Sequence, residues 1–297
     1  MVIDRELIRG KTVSNTTPKA TADHAESADA LYDISEGIAT ITLNRPDHMN
    51  TLGGTMLALV SDYILQAEKD PEVRVIILTG NGRAFCAGLD VVGAASRTGA
   101  GSSSGNNSGS NERPPVAVNL DVKTFTPAVI FNCDKPVICA MNGAAAGFGM
   151  DMALACDIRI MAQSAKMAPT PVKRGILPES GGTWILPRLI GWEKAAEIFF
   201  AARNLGADES KELGLCAHVV PNEDLMTSAR ELAASIAANA PLAVQSAKRL
   251  MRMGQSSQFD HHVHHVYMNF LQLMRTDDAR EGMSSFAEKR DAEFKGR

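Results

Sequence analysis

Val137-Ile138-Cys139-Ala140-Met141 runs without a break into Asn142-Gly143-Ala144-Ala145-Ala146-Gly147-Phe148-Gly149, eight residues whose only large side chain is Phe148. The pentapeptide reads as a strand buried on both faces, because nothing polar alternates along it. The octapeptide is too small-sided to fill a core and suits close approach of one backbone to another. A helix over 150–156 and a strand over 157–161 should follow, completing a β-α-β unit with parallel pairing. Phe148 therefore sits where a strand passes into a helix, and its N–H is expected near the positive end of that helix dipole.

A second segment upstream has the same character. Residues 73–78 form a β-branched run that Gly80-Asn81-Gly82 ends, and Ala84-Phe85-Cys86-Ala87-Gly88-Leu89-Asp90 follows. A glycine between small residues lets the chain bend so that the Leu89 N–H points into a cleft. Two convergent N–H donors of this kind make an oxyanion hole; read locally, both segments also suit ordinary tight turns.

Nearer the N-terminus, Ile34, Ile38, Ile41 and Leu43, broken by Gly37, predict a β-hairpin ending at Asn44-Arg45-Pro46. Met56, Leu57, Val60, Tyr63, Ile64 and Ala67 recur at helical spacing. Residues 93–115 are dominated by Gly, Ser, Asn and Pro and read as a flexible surface insertion. A short helix is expected over 125–132. Beyond Gly181 the pattern is largely helical: Asn222 suits an N-cap, Pro241 suits the first turn of a helix closing at Gly254, and two more helices are expected over 258–275 and 277–289.

A chain of 297 residues with 45% hydrophobic content can bury a sizeable core. Its net charge of −4 supplies no basic field for nucleic acid or anionic lipid, so a polyanionic ligand must be bound locally. The five cysteines are scattered and mostly set in apolar runs, which fits reduced, buried thiols and a cytoplasmic setting. No stretch approaches a membrane span, and no secretory signal is read in the polar N-terminus.

The order of five motifs carries a resemblance to a known family. Residues 37–46, 84–91 and 142–151, then Pro178-Glu179-Ser180-Gly181-Gly182-Thr183, then Phe286-Ala287-Glu288-Lys289-Arg290 resemble the enoyl-CoA hydratase/isomerase (crotonase) superfamily over residues 31–297. The resemblance implies an α/β crotonase fold of repeated β-β-α units with a C-terminal helical region, assembled as a homotrimer or dimer of trimers. Residues 1–30 are then expected to form a disordered tail, 31–235 the core, and 236–297 a helical oligomerisation region. It implies an acyl-CoA substrate, with coenzyme A entering as part of the substrate and no separate cofactor or metal. The oxyanion hole would be the N–H groups of Leu89 and Phe148.

Hydratases of this family carry two glutamates that hold a water. Here the first slot is Asp151 and the second is Pro171, which has neither acid nor base. Glu179 stands where certain family isomerases place their catalytic glutamate, so Glu179 and Asp151 are the candidate catalytic residues. A single carboxylate suffices to move a proton between two carbons of an enoyl-CoA, and isomerisation is preferred over hydration or thioester hydrolysis. A catalytically weak acyl-CoA-binding trimer is the alternative from a different class. Ala87, Asp90 and Val91 are expected along the pantetheine and adenine, with Phe286 and Lys289 near the nucleotide; Lys173 and Arg174 fit solvated charges as well.

Other signals do not lead further. His261 and His265 would share a helix face at metal-ligand spacing, but no HExxH pattern accompanies them. Gly147-x-Gly149 lacks the third glycine of a dinucleotide fingerprint, Met152 taking its place. No GxSxG elbow at a strand-to-helix turn and no Walker A motif occurs.

Overall fold

The computed structural model describes residues 28–89 and 124–297. The insertion at 93–115, nearly all of the tail, and Asp90 and Val91 lie outside the described residues.

Strands β1 (Ala30–Ser35) and β2 (Ile38–Leu43) form the expected hairpin, with Ala30 opposite Leu43 and Ser35 opposite Ile38. Glu36 and Gly37 turn it with φ of 53° and 75°, the left-handed pair that matches the twist of the flanking strands. Helix α1 (Met56–Lys69) buries Met56, Val60, Ile64 and Ala67, which are three or four residues apart and therefore lie on one face. Strand β3 (Val75–Gly80) starts two residues later than its apolar run suggests. It leads into β4 (Ala84–Cys86), and helix α2 (Thr126–Asn132) then precedes β5 (Val137–Met141). Next come β6 (Ala144–Ala146), α3 (Phe148–Ala155), β7 (Ile158–Ala162) and β8 (Lys166–Ala168).

Each of β3, β5 and β7 thus passes within a few residues into a short strand of a second sheet. The large sheet has the order β1-β2-β3-β5-β7-β10, where β10 is His218–Val220. The small sheet has the order β4-β6-β8-β9, where β9 is Leu205–Gly206. All neighbours beyond the hairpin run parallel except β8 and β9. This is the β-β-α repeat of the crotonase fold. The octapeptide holds one of these short strands, β6, so it is strand and turn together.

Asn142 holds the two corners together. Its Oδ1 accepts from the Gly80 N–H (3.1 Å), and its Nδ2 donates to the carbonyls of Gly82 (2.9 Å) and Ala84 (3.1 Å). The β3–β4 and β5–β6 corners are therefore locked side by side, which sets the spacing of the segments that follow them.

Helix α4 (Gly182–Ile190), α5 (Trp192–Ala201), α6 (Ala207–Glu212), α7 (Leu225–Ala237), α8 (Pro241–Gly254), α9 (Phe259–Leu273) and α10 (Asp277–Glu288) complete the chain. α7 lies across β2, β3, β5 and β7, burying Leu225, Ala229, Ala233 and Ala237. Asn222 is not its N-cap: α7 begins after a 3-10 turn, and the Asn222 Oδ1 instead accepts from the N–H (3.2 Å) and hydroxyl (3.0 Å) of Ser164. α8 docks through cations. Lys248 bonds the Lys135 carbonyl (2.8 Å) and Asp157, while Arg252 bonds the carbonyls of Phe131 and Cys133, and Arg249 pairs with Asp134 (2.7 Å). In α9 no residue is buried, and Phe259, Tyr267 and Phe270 are each at least half exposed.

The five cysteines are buried and unpaired. Among the described residues no helix is long and apolar enough to cross a membrane.

Candidate active site

After β4 the chain turns at Gly88, whose φ of +80° favours glycine and whose missing side chain is equally required, since a Cβ would lie 2.4 Å from the Ala146 carbonyl oxygen. The Gly88 carbonyl accepts from the Leu52 N–H (2.8 Å). In a trans peptide the N–H points opposite to the C=O, so the Leu89 N–H is directed away from Leu52.

The facing segment brings the second donor. Gly147, with φ of 52° and ψ of −117°, ends β6 and caps α3, so Phe148 is the first helical residue and its N–H has no acceptor within the helix. The helix thus begins two residues earlier than the apolar pattern suggests. The Phe148 nitrogen lies 3.6 Å from where a Gly88 Cβ would stand, so the peptides of the two turns are neighbours. Gly149 permits this closeness, because a Cβ there would be 2.1 Å from the Cys86 carbonyl oxygen. Neither the Leu89 nor the Phe148 N–H has an acceptor among the described residues. Two such donors, that of Phe148 at a helix N-terminus, can hold a developing oxyanion with no reorganisation. The Phe148 ring is buried edge-on against Phe125, with centroids 5.6 Å apart.

Asp151 lies in the first turn of α3 and is only 2% exposed. Its Oδ2 accepts from the Ser180 N–H at 3.2 Å, and the Gly182 N–H donates to the same carboxyl. A Cβ on Gly182 would fall 2.1 Å from Asp151 Oδ1, so Gly182 has to be a glycine for the carboxyl to sit there. Asp151 thereby caps the start of α4 from the side. Burial pushes its carboxyl up from 3.8 to about 7, the two N–H groups oppose the rise, and the charge of Glu179 adds to it. Glu179 itself is exposed, next to the buried Pro178.

The raised value has a consequence for stability. Between about pH 4 and about pH 7 the folded chain keeps a proton on Asp151 that the unfolded chain has released. Stability contributed by this group is full below the lower value and is lost as pH rises through the upper one. Asp151→Asn should remove that slope, so wild type is expected to lose more stability than the variant between about pH 5 and about pH 8 in urea unfolding. Equal slopes would show that Asp151 titrates near its ordinary value.

Pro171 is buried, and its Cγ lies 3.6 Å from where a Gly147 Cβ would stand. It occupies the edge of the Phe148 turn without offering a charge. The following 3-10 turn and loop leave Val172, Ile176 and Leu177 exposed, with Lys173 and Arg174 beside them. Ala87 is half-buried and donates its N–H to the Met49 carbonyl (3.1 Å). Phe286 is 86% exposed near the end of α10, and Lys289 is that helix's left-handed C-cap. No hydrogen bond or ion pair joins these two to the Leu89–Phe148 turn within one chain. Among the described residues no three His, Cys, Asp or Glu side chains gather as metal ligands.

A sequence model described as enoyl-CoA hydratase/isomerase matches residues 33–297. The chain belongs to the enoyl-CoA hydratase/isomerase family. A Bacillus subtilis protein named as an enoyl-CoA hydratase/isomerase is 38% identical over 88% of this chain and 96% of its own length. The 1,2-epoxyphenylacetyl-CoA isomerase of Escherichia coli is 33% identical over 90% of this chain and 98% of its own. The crystal structure of an enoyl-CoA hydratase from Bacillus anthracis superposes with a TM-score of 0.80 at 34% identity, covering 91% of this chain and all of that one. As an enoyl-CoA hydratase/isomerase family member, the chain is an enzyme acting on CoA thioesters. Ser180 and Gly182, which hold Asp151, and Asn142, which locks the corners, went unread as site residues; only the Gly181-Gly182 pair after Glu179 hinted at a constrained turn.

Proposed function

We propose that this enzyme shifts the double bond of an enoyl-CoA, with the Leu89 and Phe148 N–H groups on the thioester oxygen and Glu179 as the base. Glu179 would remove the α-proton of a 3-enoyl-CoA, the oxyanion hole would hold the dienolate, and the proton would return to the γ-carbon. Asp151, protonated through much of the neutral range, would keep the second carboxyl position uncharged or lend its proton. The observation that carries this reading is Pro171: a buried, chargeless side chain stands against the Phe148 turn.

A second reading is hydration, favoured by Asp151 near pKa 7 beside Glu179, which together provide one acid and one base. Coenzyme A would come as part of the substrate, with no separate cofactor, held along Ala87, Asp90 and Val91 and at its nucleotide by Phe286 and Lys289. The uncovered apolar side chains of α9 support assembly as a trimer or dimer of trimers, and the unpaired thiols support a cytoplasmic setting. Parallel assays with a 3-enoyl-CoA and a 2-enoyl-CoA test the reaction. Isomerisation is expected to be the faster; hydration outpacing it at saturating substrate overturns the assignment.

A further inference from the structure

Ser180 is 2% exposed, and its hydroxyl has no hydrogen-bond partner among the described residues. A buried hydroxyl left unpaired costs free energy, so it calls for an acceptor within reach. The backbone N–H of the same residue already donates to Asp151 Oδ2 at 3.2 Å. Two of the three staggered χ1 positions place a serine Oγ gauche to its own nitrogen. The carboxylate that its N–H already addresses is thus the charged acceptor on the side of the residue that a χ1 rotation can turn the hydroxyl toward.

We propose that Ser180 is a positioning residue for the enzyme's reaction, its hydroxyl donating to the Asp151 carboxylate and fixing that group's orientation beside Glu179. The inference rests on the assignment of Asp151 to the catalytic site. The surroundings leave few competitors. α2 and β6, which pack on α3, carry no titratable side chain. β4 contributes Cys86, whose thiol burial pushes up to about 11, so it stays neutral. α4 contributes Arg188, which is exposed, lies over the Trp184 ring at 3.9 Å and bonds the Trp184 carbonyl. Glu179 is the charge that acts on Asp151, and it raises the carboxyl; a hydroxyl donor acts in the opposite sense, favouring the ionised form.

The test compares wild type with Ser180→Ala, Ser180→Thr and Asp151→Asn. The pKa of Asp151 is read by carboxyl carbon NMR, using the resonance that Asp151→Asn removes, alongside kcat and KM across pH. Ser180→Ala should raise the Asp151 pKa by about one unit and move the alkaline limb of the kcat–pH profile up by the same amount, with little change in KM. Ser180→Thr, which keeps a hydroxyl, should restore both. An Asp151 titration unmoved in Ser180→Ala, or moved downward, or moved equally in both variants, overturns the proposal. Full turnover in Asp151→Asn would instead overturn the catalytic assignment of Asp151, while the NMR titration would still decide the hydrogen bond.

Discussion

Glu179→Gln is expected to slow isomerisation of a 3-enoyl-CoA by about 10²- to 10⁴-fold, the span that a positioned general base supplies. The change is nearly isosteric, and Glu179 is exposed with no salt bridge among the described residues, so the fold has little to lose. The oxyanion donors are backbone groups of other segments and stay in place, so KM should move little and the loss should fall on kcat. The variant also removes the nearby negative charge that helps raise Asp151, so Asp151 should titrate lower than in wild type. Stopped assays at saturating substrate and a pH–rate profile measure both effects. A kcat within twofold of wild type would remove Glu179 from the chemistry.

The second large effect is expected at the oxyanion turn. Gly88→Ala places a methyl group 2.4 Å from the Ala146 carbonyl oxygen on a backbone with φ of +80°. The turn has to move, and with it the Leu89 N–H. Loss of one oxyanion donor costs about 10²- to 10³-fold in kcat. Strain alone is separated from displacement by Gly214→Ala, which has the same φ of +80° but nothing within 4 Å. That variant should lose about 1 kcal/mol of stability and keep its turnover. If the two variants lost kcat equally, the geometry of the Leu89 peptide would not be what matters.

Five strands of the large sheet were legible because they are long enough to show a pattern, whereas its edge strand β10, of three residues, was not. All five residues of β5 are buried, and their run is uniformly apolar. The small sheet was not legible: β4, β6, β8 and β9 have two or three residues each, too few to display a period, and β6 is three alanines. Asn222 was misread because a side-chain oxygen can serve its own helix or a distant backbone, and here Ser164 takes it. The Leu89 and Phe148 segments stand out in the sequence because a glycine beside small residues marks close approach, and because motif order identified the family. The setting of Asp151 was hidden, since Ser180 and Gly182 approach it only after folding and no local pattern ties them to position 151.

The strand order of both sheets has a consequence for how the molecule is made. In the large sheet the partners follow one another as β1-β2-β3-β5-β7-β10, and in the small one as β4-β6-β8-β9, so neither ever returns to fill a gap. A chain leaving the ribosome can therefore add each new strand to an edge already laid down, growing both layers outward together. Every nascent length ends on a bare edge that the next segment covers, and the turns that follow β4 and β6 meet well before the C-terminal helices are synthesised.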